Sequence, residues 1–439
     1  MRAEAALPGL MTKPCIVTPL RVSSGFSFHD IMARSLLSLN PLLLGLAVTV
    51  TQVVIAVFLL APEGPISYRY STLVQHDSYW FANIIERGYQ TIVPPISHKT
   101  MEISNVAFFP AYPLIAGALR YGLHFETDKA LLVTAQAATV GFWSYFFLFC
   151  QRWNLSPALR FFGALSILAH PAAFFLVAAY SESLFLMALV GFIYWAGSQA
   201  RAAKVWAALH GILMSATRIV GIPCAAAPLV ERVCAKGWKT MRQSREWLRA
   251  YGSTIALTIV ATFGAVLFFI YCQLRWGHWD IYMLTQSSGW AIVPDYLAVF
   301  KLSSYRWFVP ALNDPTAMSQ MSMTIGALLF IVVAVCEFIP AIRRNTNWPT
   351  RVGIYFCAAV IYYISVSGVA SVEMESMLRY HFAVHALIVL AVLHFLRQFP
   401  GPPVYVRAFG MAAVALAGVA GLTLQGWYVW NFTRGNWVA

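Results

Sequence analysis

PLLLGLAVTVTQVVIAVFLLAP, residues 41–62, runs for 22 residues without a charged side chain. A helix rises about 1.5 Å per residue, so this run is long enough to cross a hydrocarbon layer of about 30 Å. It has company. Apolar segments recur at 105–122, 129–150, 158–176, 180–197, 205–229, 253–274, 322–340, 352–371, 377–396 and 408–428, about eleven in all. Over the 439 residues, 59% are apolar and 11% charged, and mean hydropathy is +0.66. A soluble domain holds about 45–50% apolar and about 25% charged residues. That surplus cannot be buried in one water-soluble core. The expected fold class is an all-α polytopic membrane protein. The composition excludes a nucleic-acid-binding domain, a disordered scaffold and a secreted disulfide protein.

Charge patterning orients the spans. There are 30 basic and 17 acidic residues, a net +13. Loop 231–251 carries Arg232, Lys236, Lys239, Arg242, Arg245 and Arg249 against Glu231 and Glu246, and Arg343, Arg344 and Arg351 form a second cluster. Basic loops stay in the cytoplasm. Lys13, Arg21 and Arg34 therefore place residues 1–40 inside as a cytoplasmic tail, which shows no cleavable signal pattern. The remainder, 41–439, reads as one multi-span domain with two long outside loops, 63–104 and 275–321. Simple alternation leaves Arg201 and Lys204 outside, against the charge rule, so broken spans are expected in that region. Seven scattered cysteines show no CxxC or Cys/His spacing, so neither a zinc site nor a disulfide framework is expected.

The first outside loop contains QHDSYWFANIIERGY, 75–89. At 100° per residue, Trp80, Phe81, Ile84 and Ile85 share one helix face and Glu86 points the opposite way. Asp77 falls on the apolar side, where a carboxylate is costly without a partner or a task. A helix N-cap is the plain alternative. NVAFFPAYPL, 105–114, follows, with Pro110 and Pro113 marking either a helix entry or an unwound turn.

Three more ionisable groups sit in apolar surroundings. Glu182 lies in YSESLF, as a functional acid or as part of a helix start capped by Ser181. Arg218 lies in SATRIVGI and, always charged, needs an anion: Glu182, a lipid headgroup or a bound phosphate. Gly221 just after it lets backbone or ligand approach. Arg379-Tyr380-His381 opens a span on the outside, where a snorkelling arginine is less expected than inside. Trp276, Asp280, Gln286, Trp290 and Trp307 in loop 275–321 suit either an aromatic belt or a sugar site.

The order of these pieces, HD with a following GY, AFFPAYPL, YSESLF, ATR-x-x-G and then an arginine-aromatic pair, resembles the PIG-V-like mannosyltransferases of glycosylphosphatidylinositol synthesis and their bacterial relatives. The resemblance departs from the family at two places. His76 stands where the family has Trp, and Arg218-Ile219-Val220-Gly221 stands for Arg-x-Asn-Gly. The resemblance implies a GT-C-type bundle of about eleven transmembrane helices, with an amphipathic juxtamembrane helix in the first non-cytoplasmic loop. It implies a hexose, mannose first, moved from a polyprenyl-phosphate donor to a lipid-linked or glycan acceptor by single inverting displacement. Asp77 then carries over as the catalytic acid-base residue. Arg218, Arg379, Glu182, His76 and Tyr380 carry over as donor-phosphate or substrate-binding residues. No cofactor is required, and a divalent metal bridging Asp77 and Glu182 is compatible with the pattern. The implied setting is a bacterial inner membrane or the endoplasmic reticulum, with the site on the non-cytoplasmic face and Glu182 on the same side as Asp77. That last point favours a broken or half-spanning arrangement between 129 and 229. A secondary transporter or lipid flippase is the competing reading, weakened by the lack of a visible internal repeat.

Overall fold

Asn40 accepts a hydrogen bond from the Leu42 amide at 2.9 Å and Pro41 takes the first helical position, so the first apolar run starts as a capped helix. The computed structural model describes residues 40–91, 104–236, 244–311, 314–339, 348–398 and 404–438. The tail cations Lys13, Arg21 and Arg34, part of the first outside loop (92–103), Lys239, Arg242, Arg343 and Arg344 lie outside them. Helix α1 is Pro41–Val54, extended by a π-helical turn at Ile55–Leu60. The short α2, Ile66–Ser71, leads to α3, Asp77–Arg87. Next come α4 (Ala111–Gly122), α5 (Thr127–Arg152), α6 (Pro157–Leu168), α7 (Glu182–Ala196) and α8 (Ala203–Thr217). Two short pieces, α9 (Gly221–Cys224) and α10 (Ala227–Lys236), precede α11 (Ser244–Ala261), α12 (Phe263–Trp276) and α13 (Ile281–Gly289). The last four are α14 (Pro315–Phe338), α15 (Pro349–Val369), α16 (Met377–Gln398) and α17 (Val404–Phe432). Among the described residues there is no strand.

Among the described residues, six helices are long and apolar enough to cross a membrane, and a seventh span arises if α11 and α12, bent by 42°, count as one. The other apolar runs of the sequence form shorter or interrupted helices. Run 105–122 yields the 12-residue α4, run 158–176 yields α6 and a 3₁₀ turn at Ala173–Leu176, and run 205–229 is divided among α8, α9 and α10. Of the six long helices, α5 and α16 are the most enclosed, while α1, α14 and α17 turn most of their surface outward. Leu59, Phe338 and Leu416 are exposed apolar side chains of those outer helices. On a multi-pass protein such faces meet lipid, where their exposure costs nothing. The core between the helices is built largely from aromatics, Trp143, Phe146, Phe185 and Phe382 among them. Close helix approach uses a small residue: a Cβ on Gly45 of α1 would stand 2.7 Å from the Val140 carbonyl oxygen of α5.

The interruption between α6 and α7 is not left with bare carbonyls. Gln425 of α17 donates to the carbonyls of Leu168 and His170, at 2.8 and 2.7 Å. Gln52 of α1 reaches the Ala173 carbonyl, Thr139 of α5 reaches that of Leu176, and Gln136 of α5 reaches that of Val177. Irregular backbone within a membrane bundle is tolerated where side chains satisfy it in this way. The second interruption follows α8. Arg218 leaves the helix in an extended conformation, and the chain folds back so tightly that a Cβ on Gly221 would lie 2.6 Å from the Met214 carbonyl oxygen. Both interruptions deliver a charged side chain to the same place.

Candidate active site

Asp77 and Glu182 are each the first residue of a helix, α3 and α7 respectively, and Arg379 lies in the first turn of α16. Arg218 closes the C-terminal end of α8. Carboxylates at helix N-termini and a cation at a C-terminus are the placements that helix dipoles favour. None of these ends is closed by its N-cap side chain in α3 or α7. Asp77 and Ser181 thus do not act as the caps that the plain readings allow. Their helices begin where they do because the chain is held by other contacts. The Ala179 amide donates to the Leu73 carbonyl at 3.1 Å, and Ser78 Oγ donates to the Ala179 carbonyl at 3.0 Å.

The four charged groups form an alternating chain. Arg379 Nη1 donates to Asp77 Oδ2 at 2.6 Å. Arg379 Nε stands 3.2 Å from Glu182 Oε1, an electrostatic contact whose angle falls short of a hydrogen bond. Arg218 Nη1 donates to that same Glu182 oxygen at 2.9 Å. Side-chain exposure is 6% for Arg379 and 5% for Glu182, against 17% for Asp77 and 21% for Arg218. The inner pair is thus sealed and the outer pair reaches open space. Tyr380 lies between the arginines, its ring centroid 5.1 Å from the Arg218 guanidinium carbon and 5.3 Å from that of Arg379. Five of the six residues singled out from sequence therefore converge. His76 does not. Its ring turns toward residues 431–437, with Nε2 3.2 Å from the Asn436 carbonyl oxygen and an edge contact to Trp437. Its backbone sits at φ +51°, a strained value for a residue with a side chain.

All four charges line one cavity of about 680 Å³. Phe108 and Trp290 add aromatic surface to the lining, and Trp80, outside the lining, backs them. Trp80 stacks on Phe108 with centroids 6.1 Å apart, and Trp290 packs edge-on against both. Gln286, Trp290 and Tyr296 come from the stretch following α12 and line the cavity, whereas Trp276, Asp280 and Trp307 do not. The Asp295 amide is tied to the Ser367 carbonyl at 2.8 Å, and the Val293 amide to Ser371 Oγ at 2.9 Å, which fixes this wall against α15. Glu375, in the turn between α15 and α16, faces the same space. Its partial burial holds its carboxyl above the ordinary glutamate value, with nearby Arg379 opposing and Asp77 adding to the shift. Sequence reasoning missed Tyr180 as a site residue. It lines the cavity two positions from Glu182, and the YSESLF motif that flagged the acid carried it too.

Among the described residues, no three His, Cys, Asp or Glu side chains are grouped as metal ligands would be. Asp77 and Glu182 both spend an oxygen on an arginine. Chemically, the arrangement offers two cations for an anion, a carboxylate at the rim for a proton, and flat aromatic surface for a ring.

No protein-family model matches the chain, and no curated protein matches it. Among solved structures it is similar to ArnT from Cupriavidus metallidurans bound to undecaprenyl phosphate, at 13% identity and a TM-score of 0.50. The likeness covers 86% of this chain and 64% of that one, so the chain spans just under two thirds of the solved neighbour. At that identity the likeness speaks for architecture alone: the protein is an all-α, multi-pass membrane bundle with the GT-C-type fold.

Proposed function

We propose that this protein is a membrane glycosyltransferase that moves a hexose from a polyprenyl-phosphate carrier to a hydroxyl of a lipid-linked or glycan acceptor, on the non-cytoplasmic face. The observation that carries the reading is the Asp77–Arg379–Glu182–Arg218 chain, which lines one cavity together with aromatic and apolar side chains such as Phe108, Trp290 and Leu186. A glycosyl carrier has matching parts: an anionic phosphate, a sugar ring and a hydrocarbon tail. The undecaprenyl phosphate in the ArnT structure supports a carrier of this kind. Mannose is the first hexose to test, on the strength of the motif order.

In this reading Arg379 and Arg218 bind the carrier phosphate, and Asp77, released from Arg379, accepts the acceptor's hydroxyl proton. The acceptor oxygen bonds to the anomeric carbon as the bond from that carbon to the phosphate oxygen breaks. The carrier leaves as a polyprenyl monophosphate, and one displacement inverts the anomeric centre. The arginines act on the charge that grows on the departing phosphate. Glu182 holds both arginines at the spacing the phosphate requires.

The test is transfer of radiolabel from polyprenyl-phosphate hexose into a product lipid or glycan by purified protein in liposomes. Transfer that is lost in Asp77→Asn supports the reading. Uptake of label into vesicles with no transfer replaces it with a transporter.

A further inference from the structure

Tyr180 is 1% exposed and lines the cavity with Ser181, Glu182 and Arg379. Its ring is wedged against Phe175, with centroids 4.8 Å apart, and Phe432, at 5.9 Å. The Arg379 guanidinium carbon lies 5.2 Å from the ring centroid. Its backbone is pinned as well, because the neighbouring Ala179 is bonded to Leu73 and to Ser78, one on each side of Asp77. The phenol is thus held in place; the Asp77 backbone amide approaches its oxygen without making an aligned hydrogen bond, and among the described residues its O–H has no acceptor. Buried tyrosine hydroxyls are nearly always paired. Tyr112, equally buried, shows the ordinary case by donating to the Leu131 carbonyl at 2.8 Å. Packing alone does not account for a tyrosine at position 180, since phenylalanine fills the same ring space without stranding a polar atom.

Arg379 Nε, beside it, also lacks an aligned hydrogen-bond partner. Two buried donors side by side, one of them cationic, ask for an anion with more than one acceptor oxygen. We propose that Tyr180 is a further substrate-contacting residue, its phenolic O–H donating to an oxygen of the carrier phosphate that Arg379 holds. This rests on the glycosyl-carrier reading above. No proton is transferred: the hydrogen bond shortens as charge builds on the leaving phosphate, so it favours the transition state over the bound donor.

Binding of undecaprenyl monophosphate to the purified full chain, together with thermal unfolding without ligand, tests the assignment. Tyr180→Phe should lower affinity for this probe about 10- to 100-fold, the loss expected for one hydrogen bond to a charged group. Its ligand-free midpoint should be unchanged or raised, because an unpaired buried hydroxyl is removed. Tyr112→Phe should do the reverse, with a lower midpoint and unchanged affinity. Undiminished affinity in Tyr180→Phe overturns the assignment, as does a lowered ligand-free midpoint, which would mean that the hydroxyl already has a partner in the fold. Either result leaves the glycosyltransferase reading standing if the wild-type protein transfers label. A wild-type protein that neither binds the probe nor transfers label overturns both.

Discussion

Asp77 and Arg379, 302 residues apart in the chain, meet at 2.6 Å, so the carboxylate assigned the proton is occupied before any substrate arrives. A carrier phosphate that takes Arg379 frees Asp77, which couples donor binding to the appearance of the base. Asp77→Asn should reduce transfer about 10²- to 10⁴-fold, the usual worth of a general base. It should also unbalance the nearly sealed Arg379, leaving it Glu182 alone. The variant is therefore less stable without ligand, and undecaprenyl monophosphate should raise its unfolding midpoint by more than it raises that of wild type. An equal rise in both proteins would mean that Asp77 does not compete with phosphate for Arg379. Glu86→Gln, on the outward face of α3 beside Thr127 and Arg120, serves as the control and should leave transfer unchanged.

Glu182 gives one oxygen to two arginines. Replacing it with alanine leaves Arg379 with only Asp77 and Arg218 with no carboxylate. Breaking a buried pair from one side costs about 3–5 kcal/mol. Glu182→Ala should fall in that range by denaturant unfolding. Glu182→Gln keeps the packing but loses the charge, and should be intermediate in stability. In the glutamine variant the arginine spacing is no longer held by opposite charge, so KM for the donor should rise together with a fall in kcat.

Much of this is legible in the sequence. Composition alone requires a membrane bundle, and the cost of ionised groups in apolar runs picks out Asp77, Glu182, Arg218 and Arg379 one by one. Their pairing was less accessible. Arg218 with Glu182 follows from the need of one for the other, but Arg379 with Asp77 joins distant segments and has no local signature. The aromatic wall from Phe108 and Trp290 could not be told from an interfacial belt, because both readings use the same residue types. His76 shows the opposite failure. The motif order carries it over as a substrate-binding residue, yet the strained turn at His76 sends its ring toward residues 431–437. Where a span breaks was not legible either, since an apolar run of adequate length can be interrupted and its carbonyls satisfied by Gln52, Gln136, Thr139 and Gln425 from other helices.

Glu375 supplies a pH signature for the turn that launches Arg379. Partial burial raises its carboxyl above the ordinary value, with the Asp77 charge adding to that and Arg379 opposing it. A carboxyl that is raised in the folded state favours folding when protonated. Its stabilising contribution is complete below the ordinary glutamate value of about 4.3 and is lost as pH climbs through the raised value. Glu375→Gln has no such group. The unfolding midpoint of wild type minus that of the variant should therefore fall as pH rises from about 4, and level off once Glu375 is ionised. A difference that stays flat or rises with pH contradicts the burial-driven shift. The window is set by Glu375 itself, so the slope should survive in Glu86→Gln, whose carboxyl is held low by its Thr127 hydrogen bond.

Arg351 and Glu337 join α14, α15 and α16 at the end of α16 away from Arg379. Arg351 is fully buried and donates to both Glu337 oxygens, at 2.5 and 2.7 Å. Tyr355 adds a bond to Glu337 at 3.0 Å, and His394 Nδ1 lies 3.3 Å from Arg351 Nη1. None of these groups lines the cavity. A bidentate pair at this depth sets helix register rather than chemistry. Glu337→Ala removes the carboxylate to which Arg351 donates twice and should cost about 3–5 kcal/mol. Replacing both partners with apolar residues of similar volume should recover most of that loss, because the cation is then removed together with its carboxylate. Throughout the series, transfer per folded molecule should match wild type. If the single and double variants lost equal stability, the cost would lie in packing and not in the broken ion pair. If transfer fell with the pair in folded protein, the far end of α16 would have to be mechanically linked to the position of Arg379.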